Sequence, residues 1–209
     1  MVLLNSAYWP NLHYFIYLIN YDKVSIDVTE PYAKQTYRNR TQILSTNGVL
    51  NLSIPVKKFK SKTPVNEIEL SYAENWQINH WRAITSAYSN SPYFEYFEED
   101  IKPFYYTKYN LLIDYNKDQL KTLFKLLKLK TEINFIDGKQ INSIQLDLRK
   151  AINPKNEQFE TVVNEALKTP YYQTFSDKFG FKANLSILDL LFNTGLDSIN
   201  YLKTTSELE

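Results

Sequence analysis

Residues 2–28, VLLNSAYWPNLHYFIYLINYDKVSIDV, decide the class of fold. Val2-Leu3-Leu4 is a short apolar run that ends at Asn5-Ser6, the signature of an N-terminal strand. Pro10 punctuates the chain, and the side-chain oxygen of Asn11 can cap a helix that begins at Leu12. Leu12, Phe15, Ile16 and Ile19 fall at i, i+3, i+4 and i+7, the apolar stripe of a short helix. Val24, Ile26 and Val28 then alternate as the buried face of a second strand. Strand, helix, strand in so short a span implies a βαβ unit with a parallel pair; the brevity of the connection leaves an antiparallel edge open.

Outward from this unit, Arg40–Leu44 and Val49–Val56 read as the two arms of a hairpin, with Asn47-Gly48 supplying the turn. Lys57–Lys62, four lysines around Phe59, reads as an exposed loop. Ile68–Tyr72 is a further candidate strand. Asn75 to about Ser89 is helical, with Asn75 as its cap, and Pro92 breaks it. Tyr93–Asp100 is a short helix, Lys117–Lys128 an amphipathic one, and Thr131–Ile136 a strand closed by Asp137-Gly138. Asn153–Gln158 is the most polar stretch and the candidate hinge. Leu185, Leu188, Leu191 and Phe192 form a last core stripe, stopped at Gly195. The expected class is mixed α/β (α+β). An N-terminal strand-helix-strand and β-hairpin sheet packs with a helical C-terminal half, and residues 1–209 form a single domain.

Composition removes several functions. With 24 basic and 23 acidic residues the formal charge is +1, so no nucleic-acid partner is expected. There is no cysteine, which excludes disulfides, thiolate metal sites and a Cys nucleophile. Two histidines, His13 and His80, cannot form a three-His zinc site, and four scattered glycines make no phosphate loop. No metal and no cofactor are expected. No stretch reaches the roughly 18–20 apolar residues of a membrane span, and Met1–Pro10 is too short and polar for a signal peptide. A cytoplasmic protein is expected.

Chemistry concentrates in three segments. Lys34-Gln35-Thr36-Tyr37-Arg38-Asn39-Arg40 holds two of the four arginines. If extended, it projects Lys34, Thr36, Arg38 and Arg40 to one side, where guanidinium forks can meet a diphosphate or carboxylate. The plainer alternative is a solvated edge strand. His80, followed by Trp81-Arg82, has an ordinary pKa that suits proton transfer near neutrality; the alternative is a partly buried ring satisfied by one hydrogen bond. Tyr88 can line the same wall. Tyr8-Trp9 can stack on a ring or plug one end of the core. Glu98-Glu99-Asp100 reads as a solvated helix face.

These segments together resemble the WbqC-like family. The likeness rests on Ala7-Tyr8-Trp9-Pro10 with Tyr14-Phe15, on Lys34 through Arg40, and on Leu52-Ser53-Ile54-Pro55-Val56. It continues through His80-Trp81-Arg82, Tyr88-Ser89-Asn90-Ser91-Pro92-Tyr93-Phe94, Tyr172-Gln173 and Asn184 through Asn193, and resembles most the subgroup of Bacteroidetes-type bacteria. Many relatives carry a glutamine before the aromatic-proline segment; Ser6-Ala7 stands there in this chain. The resemblance implies a place in O-antigen or other surface-polysaccharide biosynthesis and a glycine transfer to a sugar. It supplies shared positions, Arg38, Asn39, Arg40, His80, Arg82 and Tyr88, without roles.

Two functions are expected from these residues. In the first, the chain is a transferase acting on a small-molecule substrate, an activated sugar or aminoacyl donor. His80 is its catalytic base, Lys34, Arg38, Arg40 and Arg82 meet the charge, Asn39 orients the acceptor, and Tyr8, Trp9 or Tyr88 stacks. In the second, the same basic strand belongs to a non-catalytic module that binds a nucleotide-sugar or a pathway partner. The position of His80 relative to Arg38 and Arg40 separates the two.

Overall fold

The computed structural model describes residues 2–138, 144–156 and 167–206. Four strands form one parallel sheet: β1 (Val2–Asn5), β2 (Lys23–Asp27), β5 (Glu132–Ile136) and β6 (Leu146–Asp147), in spatial order β5-β2-β1-β6. Val2, Leu3 and Leu4 have no exposed surface. A parallel strand covered on both faces is uniformly apolar, which is why β1 does not alternate. The register pairs Val2 with Val24 and Asn5 with Asp27, so the open choice at the first connection resolves as parallel. Helix α1 (Leu12–Asn20) makes that crossover, and the Asn11 side chain accepts from the Tyr14 amide at 3.1 Å, the expected cap.

The hairpin is a separate antiparallel sheet, β3 (Arg40–Ser45) with β4 (Gly48–Ser53), Ser45 pairing with Gly48. Gly48 has φ +99°, the turn conformation that Asn-Gly anticipates. α2 (Trp76–Tyr88) lies on β3 and is followed by α3 (Phe94–Ile101) and α4 (Leu112–Leu126). After β6 come a single turn, α5 (Ser176–Phe179), then α6 (Ile187–Thr194) and α7 (Ser198–Ser206), which packs on α1. A contiguous apolar cluster runs from Val2 to Leu202 and draws on all these layers. Among the described residues no helix is long and apolar enough to cross a membrane.

The mixed α/β class holds, with four differences of detail. The parallel sheet takes two of its strands from beyond residue 130, and β6 is too short, at two residues, to show a period. Ile68–Tyr72 makes only isolated bridges, Leu70 to Val56 and Glu69 to Leu111. Asn75 precedes α2 without a side-chain capping bond. α4 starts five residues before Lys117, because Leu112 and Ile113 belong to its buried face. Of the candidate hinge, residues 157 and 158 lie outside the described residues.

Gly195 ends α6 at φ +63°, and a Cβ there would lie 2.7 Å from the Tyr93 ring. Gly195→Ala is therefore expected to destabilise by about 2 kcal/mol, from left-handed strain plus the clash. A urea-denaturation midpoint measures it.

Candidate functional site

The chain order of the parallel strands is β1, β2, β5, then back across to β6 beside β1. Winding therefore reverses between β1 and β6, and open parallel sheets receive ligands outside the carboxyl ends of their strands at such a reversal. The residues at that edge are polar and largely buried. Asn5 ends β1, and its Nδ2 donates to the Arg149 carbonyl just past β6, at 2.9 Å. Asp27 ends β2 and is 1% exposed. Its carboxylate accepts from Arg149 at 2.5 Å, from the Thr29 amide at 2.8 Å and from the Gly138 amide at 3.1 Å. Arg149 also forks onto Asp147, at 3.0 Å from Nε and 2.6 Å from a terminal nitrogen. That fork holds the Asp147 carboxyl below its usual range.

Beside this group Arg38 is paired bidentately with Glu30, at 2.8 and 2.6 Å. The two side chains are only 6% and 10% exposed, so the pair is buried. Desolvation pushes the Glu30 carboxyl above its ordinary value, and the Arg38 guanidinium opposes the shift. The Asn116 side chain donates to the Arg38 carbonyl at 2.7 Å, and the Tyr14 hydroxyl donates to the Asn5 carbonyl at 2.7 Å. An alanine Cβ at Gly138 would lie 2.1 Å from the Asp27 carboxylate. Gly138→Ala is accordingly expected to push Asp27 off Arg149 and to cost about 2 kcal/mol, read as a lowered urea midpoint.

The segment from Lys34 to Arg40 is not extended. Gln35 sits at φ +58°, the Thr36 hydroxyl turns back onto the Ala33 carbonyl at 2.9 Å, and the Asn39 amide closes on Thr36 at 3.3 Å. Local side-chain-to-backbone bonding wins over strand alternation, so the basic row facing one side does not form. Arg38 turns inward to Glu30. Asn39 donates to the Ile54 carbonyl at 2.8 Å, joining the hairpin to the chain before it. Arg40 reaches the Ser53 hydroxyl at 3.1 Å, and Lys34 is exposed, 5.1 Å from the centre of the Phe59 ring.

His80 is 7% exposed. Its Nδ1 lies 2.9 Å from the Tyr8 hydroxyl, which is 3.1 Å from the Tyr105 hydroxyl, and Trp9 Nε1 donates to Tyr105 at 2.8 Å. The donor order that fits these contacts runs Trp9 to Tyr105 to Tyr8 to His80 Nδ1, and the ring's other nitrogen faces the Ser53 backbone. Desolvation lowers the His80 pKa to about 4, so the ring is neutral at pH 7, with Nδ1 engaged by Tyr8. His80 and Arg40 thus meet at Ser53, whereas Arg38 is committed to Glu30. Tyr8 and Trp9 have no exposed surface and plug the core. Trp9 holds φ +37° because its carbonyl accepts from both Thr41 (2.8 Å) and Ser186 (3.0 Å). Arg82 is exposed on α2. Tyr88 faces the opposite way and donates to the buried Asp189 at 2.7 Å.

The start of α1 is also committed. The amides of Leu12, His13 and Tyr14 are taken by Leu185, Asn184 and Asn11. The first turn therefore presents no free amides to a phosphate. Among the described residues no group of three or more His, Cys, Asp or Glu is placed to hold a metal. Sequence reasoning missed Asn5, Asp27, Glu30, Asn116 and Arg149. The readable signal was positional, since Asn5 and Asp27 lie at the carboxyl ends of the two strands read from the sequence.

The chain is similar to the uncharacterized protein Rv1507c of Mycobacterium tuberculosis (strain ATCC 25618 / H37Rv), 26% identical over 230 residues that cover 97% of each chain. No solved structure matches. The family model described as the WbqC-like protein family matches residues 5–158, which run from the last residue of β1 through β6 and include every residue of the sheet-edge cluster, and the chain belongs to that family.

Proposed function

We propose that the chain binds a small polar substrate of surface-polysaccharide biosynthesis, an activated sugar or aminoacyl donor, at the carboxyl edge of its parallel sheet. The observation that carries this reading is the buried ionic cluster of Asp27 with Arg149 and Glu30 with Arg38, set where the winding reverses beside β1. Buried charge is costly in an apolar core, and its concentration at a ligand position fits a site. The polysaccharide setting rests on the family's association with O-antigen clusters. In this reading His80 is a positioning residue that fixes Tyr8 against β4, while the exposed Lys34 and Arg82 and the half-buried Arg40 remain to meet a charged carrier.

Group transfer, glycine to a sugar, is the second reading, and Glu30 favours it. Its carboxyl is raised by burial and lies at the sheet edge, and each oxygen keeps a lone pair beyond its bond to Arg38 that can take up a proton, whereas the acceptor nitrogen of His80 is held by Tyr8. A thermal-shift screen with nucleotide-sugars and aminoacyl donors tests binding. A ligand at a hundred times its Kd adds about 2.7 kcal/mol of stability. That gain is expected to vanish in Arg149→Met; persistence there, with loss in His80→Gln, refutes the edge. Mass-detected transfer from activated glycine to a nucleotide-linked amino sugar tests the second reading. Glu30→Gln is expected to be inactive and His80→Gln active.

A further inference from the structure

The hydrogen-bonding inventory of the sheet edge is lopsided. Asn5 and Asn116 are each 2% exposed. Asn5 Nδ2 donates to the Arg149 carbonyl and Asn116 Nδ2 to the Arg38 carbonyl, with Ser6 Oγ a further 3.5 Å contact of Asn116. Only the NH2 end of an amide can donate to a carbonyl, so both orientations are fixed. In both, Oδ1 is buried and meets no donor among the described residues. A buried acceptor left without a donor is costly, and a ligand that supplies one recovers the cost.

The donors of the cluster, by contrast, are mostly turned onto its own acceptors, three of the five N–H groups on each arginine. Arg38 gives Nε and one terminal nitrogen to Glu30 and the other to Thr36. Arg149 gives Nε and one terminal nitrogen to Asp147 and the other to Asp27. Among the described residues the acids Asp27, Glu30 and Asp147, with Asp137 on Thr29, outnumber Arg38, Arg149 and the Lys150 that also acts on Asp147. A phosphate entering here would meet the remaining N–H groups of each arginine only with a carboxylate already seated on the same guanidinium, whose like charge repels it.

On the reading that the ligand sits at this edge, we infer that the part of it held by Asn5, Asn116 and the cluster carries hydrogen-bond donors and positive charge. The chemical class is a hydroxylated amine, an amino sugar, and not a phosphate. Any phosphate on the same substrate belongs to cations outside the cluster, the exposed Lys34 and Arg82 or the half-buried Arg40.

Calorimetric titration of the full chain with glucosamine, glucose and inorganic pyrophosphate tests this. Glucosamine is expected to bind about tenfold more tightly than either of the others, the worth of one charged hydrogen bond. Asp147→Asn, at a side chain 39% exposed and so tolerant of change, is expected to weaken glucosamine several-fold and to raise pyrophosphate affinity. Glu30→Gln is expected to do the same, with its fold checked by circular dichroism. Glucose equal to glucosamine overturns the amine assignment. Pyrophosphate that outcompetes glucosamine and is lost in Arg149→Met overturns the inference while leaving the edge as the site. Binding insensitive to every edge substitution, or no binding of any probe, overturns the edge reading and this inference with it.

Discussion

Glu30→Ala is expected to destabilise the protein by about 3–5 kcal/mol, the range for removing one partner of a buried ion pair. The cost comes less from the lost attraction than from the charge left behind, an Arg38 guanidinium whose side chain is 6% exposed and which, among the described residues, keeps the Thr36 hydroxyl alone. Replacing both partners, Glu30→Met with Arg38→Met, removes the stranded charge and is expected to cost less than Glu30→Ala alone. The exposed pair Lys57–Glu69, with side chains 60% and 53% accessible, supplies the contrast. Glu69→Ala is expected to cost less than about 1 kcal/mol, as surface pairs do. Urea-denaturation midpoints for these variants and the parent chain decide the matter. A Glu30→Ala effect no larger than that of Glu69→Ala contradicts burial of the pair.

Acidification is expected to weaken the fold by about 3 kcal/mol between about pH 7 and 4.5. His13 and His80 are buried neutral, with pKa values lowered by desolvation to about 4. A depressed histidine contributes stability that is whole above the unfolded value of about 6.5 and drains as pH falls toward the folded one. Each therefore loses about 2.5 kcal/mol over this span. Asp189 works in the opposite direction. It is fully enclosed, accepts from Tyr88, Tyr171 and Gln173 without any cation, and desolvation raises its pKa to about 6. Its ionisation is a burden above that value that protonation relieves, returning about 2 kcal/mol on the way down. Glu30, also raised, adds to the same side. His80→Gln is expected to flatten the pH dependence by nearly its own share, and Asp189→Asn to steepen it. Midpoints in urea across this range measure both. A fold that strengthens on acidification contradicts the buried neutral imidazoles.

The parallel unit was legible because Val2-Leu3-Leu4 and Val24, Ile26 and Val28 carry local periods, and the hairpin because Asn47-Gly48 is local turn chemistry. β6 was not, since two residues hold no period and the strand exists only through pairing with Val2 and Leu3. The site was misread for a related reason. Arg38 and Arg40 drew attention as a row, which assumed an extended backbone, and the left-handed Gln35 and the Thr36 turn dissolve it. That Arg38 would find Glu30, and Arg149 would find Asp27, depends on contacts 8 and 122 residues apart in sequence. Neither spacing is written in a motif. His80 beside Trp81-Arg82 was visible as a candidate, but its bond to Tyr8 arises from tertiary packing alone.

Whether the carboxyl edge of the parallel sheet is where a ligand sits is best decided by amide hydrogen exchange of the full chain, with and without a nucleotide-linked amino sugar. Slowed exchange is expected at residues 5–6, 27–30 and 147–149, with no change around the surface hollow of about 280 Å³ lined by Tyr93, Tyr96, Phe97 and Leu196. Protection confined to that aromatic hollow, with the sheet edge exchanging as before, would contradict binding at the edge.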